Sequence, residues 1–319
     1  MKLVMFGTGD FALPTFRALL DAGYQVRALV TQPDRPQGRK QELIPSPIKL
    51  AAMERAVPVF QPENVNTSDA LAIIREFGAD LFVTAAYGQI LSADLLGIPP
   101  LGGINLHGSI LPKYRGAAPV ARAIQNGETE TGVTVILMTP KIDAGGMIAV
   151  ARTPIDPQET AGELEALLAD LGAPLILETI LKLSNGQVEV LPQSRQKVTK
   201  APKLSKSDSQ IDWTLSATRI HDLVRAMNPW PLCETSLHWL SFPPTRLIIH
   251  KTEVDEGIGM PGHVLEAQKD RLLVACGSGS VRIVTIQVPG KKPMSARDFV
   301  NGHHGQLGDA QGLQRAHFE

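Results

Sequence analysis

Lys2-Leu-Val-Met-Phe-Gly-Thr-Gly-Asp-Phe-Ala12 is the stretch from which the fold is read. Lys2–Phe6 is a short, mostly apolar run that ends at glycine, and Phe11, Phe16, Leu19 and Leu20 then recur at helical spacing until Gly23 stops them. A buried strand turning through glycine into an amphipathic helix opens a parallel α/β sheet. The alternation continues. Strands are predicted at Tyr24–Thr31, Val57–Phe60 and Asp80–Ala85, with helices at Phe11–Ala22, Ile48–Arg55 and Ser68–Phe77 and a helical piece near Ser92. Past a strand entering at Gly103, the spacing predicts a helix at Pro119–Asn126, strands at Thr131–Met138 and Met147–Thr153, and a long helix over Glu159–Leu183.

The chain has 319 residues, and single cores stop growing near ~250–300 residues, so two domains are expected. From Glu189 to Lys206 the periodicity stops, and Arg195, Lys197, Lys200, Lys203 and Lys206 accompany one acid, Glu189. The expected division is a Rossmann-like, mostly parallel sheet domain over 1–188, a basic linker over 189–206 and a smaller OB-like β-barrel over 207–319. In the last part, one helix (Ser216–Met227) precedes short strands near Cys233–Leu240, Leu247–Glu253, Gly262–Ala267, Arg271–Ala275 and Val281–Val288. The tail Gly302–Glu319 has no apolar periodicity and is expected to be mobile.

No apolar run approaches the roughly 20 residues of a membrane helix, and Met1–Phe6 is too short for a signal peptide. Cys233 and Cys276 form neither a disulfide framework nor a metal-ligand spacing, which fits a reducing cytoplasm. Residues 1–188 carry 15 Lys/Arg against 19 Asp/Glu, and 189–319 carry 16 against 13, so the C-terminal part is the basic one.

Chemistry gathers around Gly103-Ile-Asn-Leu-His-Gly-Ser-Ile-Leu-Pro112. Period-two alternation puts Asn105 and His107 on one side of a strand end, and Gly108, Ser109 and Pro112 then force the chain out of the sheet. In open parallel sheets, ligands bind outside the carboxyl ends of the strands. Asp143, in the turn Thr139-Pro-Lys-Ile-Asp-Ala-Gly-Gly146, follows another strand; a carboxylate there either does turn work or orients the imidazole. Gly7-Thr-Gly9-Asp-Phe-Ala12 also satisfies the dinucleotide fingerprint, but Thr31-Gln-Pro33 stands where an acid should close the second strand. There is no G-x-S-x-G elbow. The loop Gln32–Pro47 is too long and irregular for an ordinary connection and reads as functional.

Thr31-Gln-Pro-Asp-Arg-Pro-Gln-Gly-Arg39 with Pro45-Ser-Pro47, Asn105-Leu-His107-Gly-Ser-Ile-Leu-Pro112, Arg115-Gly-Ala-Ala-Pro119, Ile142-Asp-Ala-Gly145, Lys203-Leu-Ser-Lys206, Ile211-Asp-Trp213, Asn228-Pro-Trp-Pro231 and Gly290-Lys-Lys292 together resemble the methionyl-tRNA formyltransferase family. The likeness spans nearly the whole chain. It implies a catalytic trio of Asn105, His107 and Asp143, with Ser109, Ile110, Leu111 and Pro112 lining the site for 10-formyltetrahydrofolate. It also implies that Arg39 meets the acceptor end of an aminoacylated initiator tRNA, which Lys203, Lys206, Lys291, Lys292 and the barrel hold by charge. A cytoplasmic monomer without metal, membrane or obligatory protein partner is expected. Two departures stand out: Gly9 occupies a position where the family usually has proline, and Lys40-Gln41-Glu42 brings an acid into the loop, implying a weaker contribution to tRNA affinity. The trio would also serve a formyltransferase for a small amine. A nicotinamide-dependent oxidoreductase and a non-enzymatic RNA-binding module are the competing functions.

Overall fold

A computed structural model describes residues 1–37, 42–239, 242–303, 307 and 316–319. Two compact units divide them: Met1–Pro119, Glu130–Pro154 and Leu164–Pro202 form one, and Val120–Thr129, Ile155–Glu163 and Lys203–Glu319 the other. No helix among the described residues is long and apolar enough to cross a membrane.

The strands of the first unit are β1 (Lys2–Gly7), β2 (Gln25–Val30), β3 (Pro36–Gln37), β4 (Glu42–Leu43), β5 (Val59–Phe60), β6 (Leu81–Ala85), β7 (Gly103–His107), β8 (Arg115–Gly116), β9 (Glu130–Leu137), β10 (Met147–Pro154) and β11 (Lys200–Ala201). Between the early strands lie α1 (Leu13–Asp21), α2 (Pro47–Glu54), α3 (Ser68–Glu76) and α4 (Ala93–Leu96). Seven strands make one Rossmann-like sheet in the order β10-β9-β7-β6-β1-β2-β5. From β5 through β2, β1 and β6 to β7 every pairing is parallel. β1 beyond Lys2 and the whole of β6 are buried, as expected of strands covered on both faces. Phe6 stacks edge-on against Phe82 at 4.9 Å and Tyr87 at 5.4 Å to close that core.

The other edge is antiparallel, β9 to β7 and β10 to β9. Residues 138–146 turn β9 straight back into β10, and a hairpin cannot pair in parallel. The long loop after β2 is also more regular than expected, since β3 and β4 pair antiparallel.

Chain order fixes where a ligand can sit. The chain lays β1, β2 and β5 to one side, then returns to place β6 and β7 on the other, leaving a crevice at the carboxyl ends of β1 and β6. β7 is the next strand along. After α5 (Pro119–Gln125), helix α6 (Ala161–Ser184) brings Gly172 so close to β7 that an added Cβ would stand 2.3 Å from Leu106 Cδ2. Leu106 anchors the strand to the helix, and alternation turns Asn105 and His107 the other way.

In the second unit α7 (Ala217–Ala226) is capped by Ser216. The strands β12 (Cys233–His238), β13 (Thr245–Asp255), β14 (Val264–Gln268), β15 (Arg271–Ala275), β16 (Ser280–Gln287), β17 (Met294–Ser295) and β18 (His317–Phe318) follow, with α8 (Ala296–Gly302) before the last. They form an antiparallel barrel-like sheet in the order β14-β15-β16-β13-β12-β18, with β17 on β16. The loop 155–163 belongs to this unit because His221 binds the Pro157 carbonyl at 2.9 Å and Arg225 donates to the Asp156 and Glu159 carbonyls.

Two expectations are corrected. The tail is ordered at its end: residues 316–319 close the barrel, Phe318 N–H donating to Gly262 O at 2.8 Å and Val264 N–H to Ala316 O at 3.1 Å while β18 pairs with β12, and residues 304–306 and 308–315 lie outside the described residues. Phe318 is 2% exposed and packs 5.3 Å from the Trp213 ring. Among the described tail residues the buried ones, Leu307, Ala316 and Phe318, are too few and too scattered to leave a periodicity. Nor is 189–206 a free linker. Leu191 and Met147 exchange both backbone hydrogen bonds at 2.8 Å, and β11 pairs in parallel with β8, so the segment is bound to the first unit as far as Pro202.

If β18 closes the barrel, Phe318→Ala lowers the stability of the second unit by about 3–5 kcal/mol, the usual cost of emptying a buried phenylalanine site. Denaturant unfolding followed by Trp fluorescence checks this, and a loss under about 1 kcal/mol would mean that the strand is dispensable.

Candidate active site

His107, at the end of β7, is 5% exposed. Its Nε2 lies 2.9 Å from the Tyr114 carbonyl, which can only accept, so Nε2 carries a hydrogen. Nδ1 therefore faces Asp143, 3.5 Å from Oδ2, a separation beyond a formed hydrogen bond. Attraction across that gap needs one further proton, on Nδ1 or on the carboxyl group. Imidazole and carboxylate thus face one another across a single proton position.

Asp143 is held from two directions. Gly116 N–H donates to Oδ2 at 2.9 Å. Behind it, the Gln193 amide nitrogen donates to the Asp143 carbonyl at 2.8 Å and to the Gly145 carbonyl at 2.7 Å, while Gln193 Oε1 accepts from Arg115 Nε at 3.0 Å and Nη2 at 2.7 Å. The backbone around these contacts is unusual: Tyr114 has φ 61° and Asp143 φ 48°, left-handed values that non-glycine residues adopt where surrounding bonds enforce them. Gly116 is obligatory, since at φ 128° a Cβ would lie 2.5 Å from the Ala201 carbonyl.

Segment 190–201 therefore acts as a strap across the ends of β7 and β9. Thr199 Oγ1 accepts from Tyr114 N–H at 2.8 Å, the Thr199 carbonyl from Arg115 N–H at 2.9 Å, and the Ala201 carbonyl from Ala117 N–H at 2.9 Å. Sequence reading missed Gln193, Thr199 and the Tyr114 carbonyl. All three act through or upon backbone atoms, which leave no residue pattern.

Asn105 is half-buried on the face of β7 that bears His107, and among the described residues its amide makes no hydrogen bond. A half-buried amide with its donors unspent is available to a ligand. The loop beyond it is fixed: Ser109 O–H donates to the Lys113 carbonyl at 2.7 Å, and Thr134 Oγ1 donates to the Ser109 carbonyl and accepts from Leu111 N–H. Ser109 and Leu111 are buried, so Ile110 and Pro112, both half-buried, are the members of that loop with surface to offer.

Elsewhere along the sheet's carboxyl edge, Thr8 Oγ1 donates to the Tyr87 carbonyl and accepts from Gln32 N–H. The root of the long loop is tied by Lys49, whose ammonium contacts Asp34 at 2.5 Å and holds that carboxyl below its usual range. Arg39 lies outside the described residues. Lys203, Lys206, Lys291 and Lys292 are exposed on the second unit.

The dinucleotide pattern is structural. A Cβ at Gly7 would lie 2.7 Å from that of Ala12, so the glycine permits close packing, and a 3-10 turn over Asp10–Ala12 leads into α1. Asp10 places a carboxylate, and Pro14 removes a donor, where a pyrophosphate would need positive potential and N–H groups. Burial pushes the thiols of Cys233 and Cys276 up to about 12 and about 11, so neither supplies a nucleophile.

A family model described as formyl transferase matches residues 1–180, and one described as formyl transferase, C-terminal domain, matches 203–304. The chain is 43% identical over 301 residues to a protein of Pseudomonas savastanoi pv. phaseolicola named methionyl-tRNA formyltransferase, covering 94% of each. It is 42% identical over 307 residues to one of the same name from Stutzerimonas stutzeri, covering 96% of each. Among solved structures, a sugar 3N-formyl transferase determined in the presence of dTDP and 5-N-formyl-THF shares the fold with a TM-score of 0.66 at 19% identity, over 92% of this chain and 99% of that one. Matched in both halves and aligned with these relatives along nearly their whole length, the chain belongs to the formyl transferase family.

Proposed function

We propose that this chain transfers the formyl group of 10-formyltetrahydrofolate to the α-amino group of methionyl initiator tRNA. The observation that carries the reading is the unspent Asn105 amide beside the facing His107 and Asp143, in a chain so close to relatives of that name.

The chemistry asks for three things. A neutral amine attacks the formyl carbon, the carbonyl oxygen becomes an oxyanion, and collapse of the tetrahedral intermediate breaks the bond from carbon to the folate nitrogen. One proton leaves the amine and one is delivered to that nitrogen, so the ledger closes without metal or redox chemistry. Asn105 donates to the oxyanion, an interaction of a kind worth about 10²–10³ in rate. His107 and Asp143 share the proton position between Nδ1 and Oδ2, and through it the pair takes up and returns the proton that must move. Two inert thiols and the absence of a serine elbow favour direct attack over a covalent enzyme intermediate.

On this reading the first unit, which takes in most of residues 1–188 and the strap as far as Pro202, is the transfer domain, in which the loop from Ser109 to Pro112 walls the folate site with Ile110 and Pro112 outermost. The barrel over 207–319 binds the tRNA. Exposed Lys203, Lys206, Lys291 and Lys292 neutralise phosphates, and Arg39 reaches the acceptor end. The substrates, and the two cysteines left unpaired, fit a cytoplasmic enzyme working as a monomer.

Offered 10-formyltetrahydrofolate with charged initiator tRNA, charged elongator tRNA or free methionine, the protein is expected to formylate the first far faster than the others. Formylation of none of them, or full activity in Asp143→Asn, would sink the proposal. Asn105→Ala is expected to lower kcat by about 10²–10³ with little change in folate binding. Arg39→Ala should raise KM for tRNA and leave folate affinity alone; equal loss of both refutes its assignment. Affinity for tRNA should also fall with salt, by about 0.7–0.9 log units per log unit for each phosphate contacted.

A further inference from the structure

Resting on the reading of Asn105, His107 and Asp143 as the transfer site, we propose that Gln193 is its positioning residue: a side chain that locks the Asp143 turn to the loop that holds His107. Gln193 belongs to a basic, patternless stretch whose visible chemistry is the cations Arg195, Lys197 and Lys200, all exposed. Its own side chain is half-buried and fully committed.

The orientation of its amide is forced. Arginine has only donors and a backbone carbonyl only accepts, so Oε1 must face Arg115 and Nε2 must face Asp143 and Gly145. All four bonds lie between 2.7 and 3.0 Å. They join two loops that otherwise meet through the Gly116 N–H bond to Asp143 and the 3.5 Å gap to His107. Arg115, Gln193's partner, sits between Tyr114, whose carbonyl fixes the imidazole, and Gly116, whose N–H fixes the carboxylate. One amide thus sets the distance between the strand end that carries His107 and the turn that carries Asp143.

The turn gives Gln193 something to hold. Asp143 is in the left-handed region, and a Cβ at Gly145 would stand 1.7 Å from the Leu137 carbonyl and one at Gly146 2.2 Å from Val190 Cγ1. A turn this tight has no slack to take up a change in the strap by small adjustments. Without the two amide donors, the Asp143 and Gly145 carbonyls lose their partner, and the peptide that aims the carboxylate is free to rotate.

The test uses the full chain and two variants. Gln193→Met keeps the length and removes every hydrogen bond; Gln193→Glu keeps the acceptor for Arg115 and loses both donors to the turn. Both are expected to lower kcat about 10–100-fold, the effect of misplacing a reacting group by a fraction of an ångström to an ångström. KM for folate and for tRNA should stay within about threefold, because no substrate contact is removed. The pH dependence of kcat should also move, since the distance between the imidazole and the carboxylate is altered.

A double variant separates positioning from general damage. If Gln193 acts through Asp143, Gln193→Glu combined with Asp143→Asn is no slower than Asp143→Asn alone. Independent multiplication of the two losses overturns the inference. So does a folded Gln193→Glu with wild-type kcat and pH profile, or a loss confined to KM. Should Gln193→Met not fold, Gln193→Glu decides alone, because its ion pair with Arg115 preserves the strap. Full activity in both Asn105→Ala and Asp143→Asn would instead remove the underlying reading, an outcome distinct from an inert Gln193.

Discussion

The hydrogen bond from Gly116 N–H to Asp143 Oδ2 is the contact on which the site depends. It links a strand-end loop to a turn 27 residues later, and it gives a carboxylate only 12% exposed a charge-assisted partner. A carboxylate taken that far out of water without donors is costly, and hydrogen bonds to charged groups are the stronger kind. Around this bond the structure arranges features that would otherwise be liabilities: two left-handed non-glycine residues, a glycine pressed on a carbonyl, and a strap laid over both loops. None makes sense as independent stabilisation. Together they hold His107 and Asp143 near one another and leave Asn105 open.

The parallel part of the sheet was legible because its strands are buried on both faces and its helices carry one apolar stripe, so each announces itself within a dozen residues. Asn105 and His107 were legible for a related reason: period two is a rule of the backbone, and it holds at a strand end as in the middle. Asp143 could be placed on a turn but not in contact, since the contact rests on chain separated by tens of residues. The strap was not legible at all. Thr199 and Ala201 act through their backbones or through one hydroxyl, and Gln193 is a single amide in a run read for its charge. β18 escaped for want of length. The glycine fingerprint is the opposite case, a pattern present in the letters whose demand for an N-terminal anion site the structure declines through Asp10 and Pro14.

Charge in this chain is local. A net charge of −1 gives no long-range field to draw a polyanion, so any attraction must come from groups of cations such as those of the strap and of the second unit. The buried charges do other work. Arg225 pairs with Asp222 at 2.8 Å, both nearly excluded from solvent, and spends its remaining donors on the Asp156 and Glu159 carbonyls. A buried pair of this sort is weak evidence for stability but strong evidence for register, because only one arrangement satisfies all its donors. It fixes loop 155–163 to α7.

The strap also dictates an order of assembly. The seven sheet strands all lie before residue 155, while the contacts that pin the Asp143 turn come from residues 190–201, after the whole of α6. A chain emerging from the ribosome can pair its sheet well before the stretch that aims its carboxylate exists. Those contacts close loops of about 50 to 85 residues, the kind whose entropy must be met before they are rewarded. The first unit therefore becomes a fold before it becomes a site, and quality control that senses only the sheet would pass a nascent enzyme that does not yet have one.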